Sequence, residues 1–141
     1  MKEDGSNEVS VTMDQPEYHW NNRVVLITED EEINFYYLKT LLKKTEATVI
    51  RAKNGKEAVD FINEYSGQID LILMDLNMPV MDGYEAMRII KSRHPEIPII
   101  AQTAYTLNND RIKCLKAGFN DFIAKPINRV ALFRMVNENL S

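Results

Sequence analysis

The stretch Leu71–Gly83, LILMDLNMPVMDG, decides the fold of this chain. Its first four residues form an unbroken apolar run, which is typical of a buried strand, and the run leads directly into the carboxylate of Asp75. Asn77 and Pro79 then favour a loop. In an open parallel α/β sheet, ligands bind beyond the carboxyl ends of the strands, so an acid at this position is placed for chemistry. An isolated acid at a strand end can also cap a turn, so the other strand ends must decide.

Strand and helix patterns alternate along the whole chain around this stretch. Apolar or β-branched runs predict strands at residues 24–27, 48–50, 69–74, 97–101 and 121–124. Helical spacing predicts a helix after each strand, with these residues facing inward: Ile33, Tyr37, Leu38, Leu41 and Leu42 on the first, Ala58, Val59, Ile62 and Tyr65 on the second, Tyr84, Met87 and Ile90 on the third, Ile112 and Leu115 on the fourth, and Val130, Phe133, Val136 and Leu140 on the fifth.

This alternation predicts a parallel sheet with helices on both faces, because right-handed crossovers place them there. The fold class is therefore α/β, a three-layer doubly wound (βα)5 arrangement. Periodicity alone leaves the order of the strands open.

Length and composition limit the classes of protein to consider. The 141 residues suit one domain, which we place at residues 22–141, after a linker or disordered leader at residues 1–21. The rings from Tyr18 to Trp20 are expected to begin docking on that domain. A single cysteine and the lack of a signal-peptide core or a long apolar run predict a cytoplasmic chain without direct membrane contact.

The charge is concentrated at the start of the chain. Residues 1–18 account for the whole net charge of −4, so the remaining 123 residues carry 16 basic and 16 acidic side chains. Because phosphate-backbone binding requires a basic stripe, we expect no nucleic-acid binding by this chain.

Polar side chains also end three other predicted strands. The first is followed by the four acids Glu29–Glu32, the fourth ends in Gln102 and Thr103, and the fifth ends in Lys125. The carboxyl ends of parallel strands share one edge of a sheet. Carboxylates, a hydroxyl group and an ammonium group are therefore predicted to converge near Asp75.

This set of side chains favours metal-assisted phosphoryl transfer. Clustered carboxylates repel one another unless a cation is supplied. Mg²⁺ prefers oxygen ligands and keeps waters that a phosphate can displace, which suits Asp30 and Asp75 with Glu29; Mn²⁺ could replace it. Thr103 could donate to a phosphoryl oxygen and Lys125 could neutralise its charge, leaving Asp75 as the nucleophile.

Three segments together resemble the receiver domain of two-component response regulators, and most closely the receivers of hybrid sensor histidine kinases. They read VVLITEDEEIN, LILMDLNMPVMDGYEAMRIIK and PIIAQTAYTLNNDRIKCLKAGFNDFIAKPI, and the resemblance covers residues 23 to 140. It implies a flavodoxin-like sheet with the strand order 2-1-3-4-5.

The resemblance also implies the roles of the acidic residues. Asp75 would be the phosphoacceptor, Glu29 and Asp30 the acidic pair that holds Mg²⁺, and the backbone carbonyl of Asn77 a further metal ligand. Two positions depart from the usual pattern. Glu29 stands where the family often has Asp, and its longer side chain would reach the metal through water. Glu31 stands where related receivers often have Asn.

Further roles carried over from the family concern the response to phosphorylation. Thr103 and Lys125 would bind the phosphoryl group, and the peptide bond between Lys125 and Pro126 would be cis. Phe122 occupies the position of the switch aromatic, whose rotamer follows Thr103. Asn77 and Tyr105 stand where the family tunes dephosphorylation, and the bulk of Tyr105 predicts slow self-dephosphorylation.

The resemblance implies a phosphorelay domain that takes a phosphoryl group from a histidine kinase or a histidine phosphotransfer domain. It would pass the group to another histidine or signal through helix 4, strand 5 and helix 5, and phosphorylation could drive homodimerisation. Such a domain catalyses only its own phosphorylation and dephosphorylation, so it is not an enzyme acting on a free substrate. We expect a segment of a hybrid kinase rather than a stand-alone regulator.

Two other functions remain open. One is an interaction module that keeps the fold without phosphorylation, which would have no need for Asp30, Asp75, Thr103 and Lys125 at one edge. The other is a phosphohydrolase with an Asp nucleophile, which would normally have a second acid two residues later, where this chain has Asn77.

Overall fold

The computed structural model describes residues 17–104 and 108–140, in which strands and helices alternate as the sequence predicts. The strands are β1 (Val24–Thr28), β2 (Thr48–Ala52), β3 (Leu71–Asp75), β4 (Ile99–Thr103) and β5 (Asp121–Ala124). The helices are α1 (Glu32–Lys43), α2 (Gly55–Glu64), α3 (Gly83–Arg93), α4 (Asn108–Ala117) and α5 (Arg129–Leu140).

All neighbouring strands are parallel, and their order across the sheet is β2-β1-β3-β4-β5. The predicted flavodoxin-like order is therefore confirmed. Strand β2 lies on one side of β1, and β3 lies on the other side, so the strand order reverses between β1 and β3. Thr28 of β1 lies opposite Met74 of β3. The residues that follow these two strands consequently meet at the same edge of the sheet, which is where a doubly wound fold binds its ligands.

Side chains alternate between two apolar layers, as the pleat of a strand requires. Along β3, Leu71 and Leu73 face the side covered by α1 and α5, whereas Ile72 and Met74 face the side covered by α2, α3 and α4. All five residues of β3 are buried. This strand is covered by helices on both faces, which explains why its sequence is a continuous apolar run rather than an alternating one.

The inward faces of α2 and α3 are as predicted, but those of three other helices differ. Ile33 and Tyr37 of α1 are 85% and 46% exposed, and Val130 of α5 is 41% exposed. The buried side chains are instead Phe35, Leu38 and Leu42 on α1 and Leu132 and Val136 on α5. Both helices carry apolar residues on more than one side, so spacing did not fix their rotation.

The predicted inward face of α4 is wrong. Ile112 and Leu115 are 52% and 42% exposed, and Cys114 is fully buried in their place. A Cβ atom at Gly118, just after α4, would lie 3.2 Å from the sulfur of Met87 on α3. The end of α4 therefore lies close to α3, and the side chain that α4 contributes to this core is the small Cys114.

The rings that precede β1 pack on α5. Trp20 is 6% exposed, and its ring centroid lies 5.1 Å from that of Tyr18 and 5.9 Å from that of Phe133. The backbone N–H of Trp20 donates to the Thr45 carbonyl at 2.8 Å. The predicted docking is confirmed for Tyr18 and Trp20, whereas the side chain of His19 is 70% exposed. Among the described residues, no helix is long and apolar enough to cross a membrane.

Candidate functional site

Three carboxylates meet at the carboxyl edge of the sheet. Glu29 follows β1 and is fully buried, Asp75 ends β3 and is 4% exposed, and Asp30 lies on the solvent side. One carboxylate oxygen from each lies within 4.8 Å of the others. The prediction that strand ends bring these acids together is confirmed by this geometry.

The loop after β3 keeps α3 close to this edge without covering it. Gly83 begins α3, and a Cβ atom there would collide with the carbonyl oxygen of Asp75. The side chain of Asp82 caps the helix by accepting the Glu85 N–H at 2.9 Å. A glycine is therefore required at the helix start because the backbone of the acidic strand end passes directly beneath it.

Lys125 connects two of the three acids. Its Nζ lies 3.2 Å from Asp75 Oδ2 and 3.3 Å from Glu29 Oε1, and its backbone N–H donates to the Thr103 carbonyl at 2.8 Å. The peptide bond that follows, between Lys125 and Pro126, is cis, as the family resemblance predicts. The other oxygen of Asp75, Oδ1, accepts the Asn77 N–H at 3.1 Å.

One ammonium group does not balance the buried acids. Burial and the charge of Asp75 raise the pKa of Glu29 to about 7, although Lys125 acts in the opposite direction. Burial lowers the pKa of Lys125, but the charges of Asp75 and Glu29 outweigh that effect and raise it, so this lysine stays protonated at neutral pH. The edge therefore favours an additional positive charge.

The donor set fits a hard divalent cation. All three side chains offer carboxylate oxygens, and Asp30 on the solvent side leaves room for bound waters, which Mg²⁺ retains in most protein sites. In addition, Glu29 Oε1 is buried and accepts no hydrogen bond within the part of the chain that the structure describes, even though Lys125 Nζ lies nearby. This buried oxygen has an ion pair with Lys125 but no hydrogen bond, so a metal ion could supply the further positive charge that its burial favours.

The remaining predicted residues lie around the same edge. Thr103 ends β4 and is 2% exposed, Asn77 is exposed in the loop two residues after Asp75, and Phe122 on β5 is half-buried against the α2, α3 and α4 side of the core. Tyr105 lies outside the described residues. The roles in catalysis, switching and dephosphorylation predicted for these side chains stay predictions.

Two residues at this edge have features that the sequence did not reveal. Arg51 on β2 donates to the backbone carbonyls of Glu29 and Asp30. Gln102 on β4, directly opposite Asp75, is fully buried, and neither its Nε2 nor its Oε1 has a partner among the described residues. The sequence placed Gln102 at the end of the fourth strand but did not show that its amide is buried without partners, and the Arg51 contact joins residues more than 20 positions apart.

Sequence comparison places this architecture among known signalling domains. The family profile of the response regulator receiver domain matches residues 25–137. The chain is 38% identical over 123 residues to hybrid signal transduction histidine kinase I of Dictyostelium discoideum. That alignment covers 82% of this chain but only 7% of the kinase, and the chain spans 5–7% of three other hybrid histidine kinases of that organism that it matches.

Solved structures show the same likeness. The receiver domain of sensor histidine kinase PA1611 from Pseudomonas aeruginosa, which has a magnesium ion in its active-site cleft, is 36% identical with a TM-score of 0.76. That match covers 84% of this chain and 97% of the other. The Saccharomyces cerevisiae co-crystal structure of the phosphotransfer protein Ypd1 with the Ssk1 receiver domain matches at 36% identity and a TM-score of 0.75, covering 82% and 87%.

Proposed function

Because the chain belongs to the response regulator receiver domain family, we propose that it accepts a phosphoryl group on Asp75 from a phosphohistidine. The observation that carries this proposal is the contact of Lys125 with both Asp75 and Glu29, beside the exposed carboxylate of Asp30. This arrangement offers a nucleophile, a fixed cation and a set of metal-binding oxygens at one edge. Phosphoryl transfer depends mainly on positioning and charge neutralisation, which such an edge can provide.

The proposed transfer exchanges one bond for another. A carboxylate oxygen of Asp75 attacks the phosphorus atom, the P–N bond to the donor histidine breaks, and its electron pair returns to the imidazole nitrogen. The product is an acyl phosphate on Asp75. Lys125 pairs with a phosphoryl oxygen of the product, and the Thr103 hydroxyl donates to another.

A set of oxygen ligands would hold Mg²⁺, or Mn²⁺ in its place: the carboxylates of Glu29, Asp30 and Asp75 and the backbone carbonyl of Asn77. The bound ion would neutralise charge on the phosphoryl oxygens. Phosphorylation at this edge would then bias Thr103 and Phe122, so that the surface of α4, β5 and α5 reports the state. Asn77 and Tyr105 would set the rate at which water removes the group. Acting on itself alone, the chain would not be an enzyme with a free substrate.

We also propose that the donor is a protein, either a histidine kinase or a histidine phosphotransfer domain. Ile33 in the first turn of α1 is 85% exposed, and Val80 in the loop after Asp75 is 78% exposed. These apolar side chains follow the acidic segments after β1 and β3, where a partner that delivers a phosphohistidine must approach. The co-crystal structure of Ypd1 with the Ssk1 receiver domain supports a histidine phosphotransfer protein as the class of partner.

Labelling with acetyl phosphate tests the acceptor without requiring the natural partner. The wild-type chain should take up phosphate in the presence of Mg²⁺ and lose this ability in EDTA. Asp75→Asn should take up none, while Asp60→Asn, which removes an exposed carboxylate on α2, should behave as wild type. A chain that is folded and still unlabelled with Mg²⁺ would instead favour an interaction module that does not use phosphorylation.

A partner-surface variant tests the donor. With any phosphohistidine protein that phosphorylates the wild-type chain, Ile33→Asp should slow transfer because it places a charge in the contact. The same variant should accept acetyl phosphate at the wild-type rate. Equal slowing with both donors would show that Ile33 affects the site itself rather than docking.

A further inference from the structure

Arg51, on the edge strand β2, holds the backbone of the acidic loop in place. Its Nε donates to the carbonyl of Glu29 at 3.2 Å and its Nη2 to the carbonyl of Asp30 at 3.3 Å. Glu29 N–H in turn donates to the Ala52 carbonyl at 2.9 Å. Both peptide groups that flank the acidic pair are therefore tied to β2.

The guanidinium is itself fixed from the other side. Its central carbon lies 5.2 Å from the ring centroid of Phe35, a distance at which an arginine is attracted to an aromatic face. Phe35 is 7% exposed on α1, and its N–H donates to the Glu31 carbonyl at 3.1 Å. Arg51 thus lies between the acidic loop and the helix that the loop leads into.

The choice of acceptor atoms is informative. Arginine usually pairs with carboxylates through its planar fork of donors. Here the fork reaches two successive carbonyl oxygens, and the carboxylates of Glu29 and Asp30 belong instead to the acidic cluster that faces Asp75. Arg51 consequently orients the two acids while leaving their oxygens available, and it adds a positive charge behind them.

We propose that Arg51 is a positioning residue for the metal site, which it serves through the backbone of Glu29 and Asp30 rather than by contact with the ion. The proposal rests on the proposed function, because it assumes that the acidic cluster binds a divalent cation. A residue one step removed from the ligands typically contributes about 10- to 100-fold to metal affinity.

The test compares Arg51→Met, Arg51→Lys and Arg88→Met, the last of which removes an exposed arginine on α3. The dissociation constant for Mn²⁺ is measured by calorimetry without any phosphodonor. Arg51→Met should bind Mn²⁺ about 10- to 100-fold more weakly than wild type. Arg51→Lys keeps the charge but not the planar fork of donors, so its dissociation constant should lie between those of wild type and Arg51→Met. The dissociation constant of Arg88→Met should equal that of wild type.

Two further readouts separate positioning from general damage to the fold. The labelling rate of Arg51→Met with acetyl phosphate should return to the wild-type value at saturating Mg²⁺, because the ligands themselves are intact. Its unfolding midpoint in EDTA should remain close to that of Arg88→Met. Equal Mn²⁺ affinity in Arg51→Met and wild type would overturn the inference.

A labelling rate that stays low at saturating metal would also overturn it, since Arg51 would then act on more than affinity. The proposed function can fail separately. If the wild type binds Mn²⁺ and the Arg51→Met loss is seen, but Asp75 takes up no phosphate, the inference about the site holds and phosphoryl transfer does not. A wild-type chain that binds no Mn²⁺ would contradict both.

Discussion

The replacement Glu29→Gln should make the metal-free protein more stable at alkaline pH. The native carboxyl has a pKa of about 7, raised from 4.5 by burial and by Asp75. Glutamine has a similar shape but no charge. It therefore removes the burial cost and the repulsion that the ionised glutamate experiences beside Asp75.

The sign and size of the effect follow from proton linkage. When a group has a higher pKa in the folded than in the unfolded state, the folded protein becomes less stable as the pH rises from the unfolded-state pKa to the folded-state pKa. For Glu29 these pKa values are 4.5 and about 7. A tenfold change in proton affinity is worth about 1.4 kcal/mol, so the wild type should lose at most about 3.5 kcal/mol across this window. Solvent at the Asp30 side of the cleft reduces that figure.

Urea denaturation in EDTA, followed by the fluorescence of the buried Trp20, measures this directly between pH 4.5 and 8. Glu29→Gln should match wild type at the acidic end and exceed it at pH 8, and saturating Mg²⁺ should raise the wild type more than the variant. Glu138→Gln, on an exposed part of α5, is the control. The same pH slope in wild type and Glu29→Gln would refute the reasoning.

Three substitutions test the packing around the site. Gly83→Ala should destabilise the protein by roughly 1–3 kcal/mol in urea denaturation, because its Cβ atom meets rigid backbone. In the control Gly67→Ala, the Cβ atom meets the movable ring of Tyr65, so the loss of stability should be smaller. Equal losses in the two variants would contradict this. Gln102→Met should stabilise the protein by about 1–3 kcal/mol in the same assay, because both polar atoms of the amide are buried without partners among the described residues. A loss of stability would contradict this and would mean that water or a ligand satisfies the amide. Trp20→Ala should cost about 3–5 kcal/mol by calorimetry, and a cost near zero would show that the docked rings are dispensable.

The sheet and the position of the acids could be predicted from the sequence because each depends on local patterns. The central strand is a continuous apolar run that ends in Asp75, and parallel strands bring their ends to one edge wherever the helices lie. The order of the strands was available only through the family resemblance. Spacing of apolar residues has no means of ranking one parallel arrangement above another.

The errors concern features that depend on distant parts of the chain. Helix α4 presents Cys114 rather than Ile112 or Leu115 to the core that it shares with Met87 of α3, and the spacing of apolar residues within α4 does not contain this packing. The contact of Arg51 joins β2 to the acidic loop after β1, and no local pattern predicts it. Such contacts become visible only when the chain is folded.

The most direct test of the central claim is to locate the phosphoryl group. Borohydride reduces an acyl phosphate to an alcohol, so a phosphorylated aspartate becomes homoserine and can be found by peptide mass spectrometry. After reaction with acetyl phosphate and Mg²⁺, the account predicts homoserine at position 75 and its absence when EDTA replaces the metal. Homoserine at another aspartate, or at none in a folded chain, would contradict it.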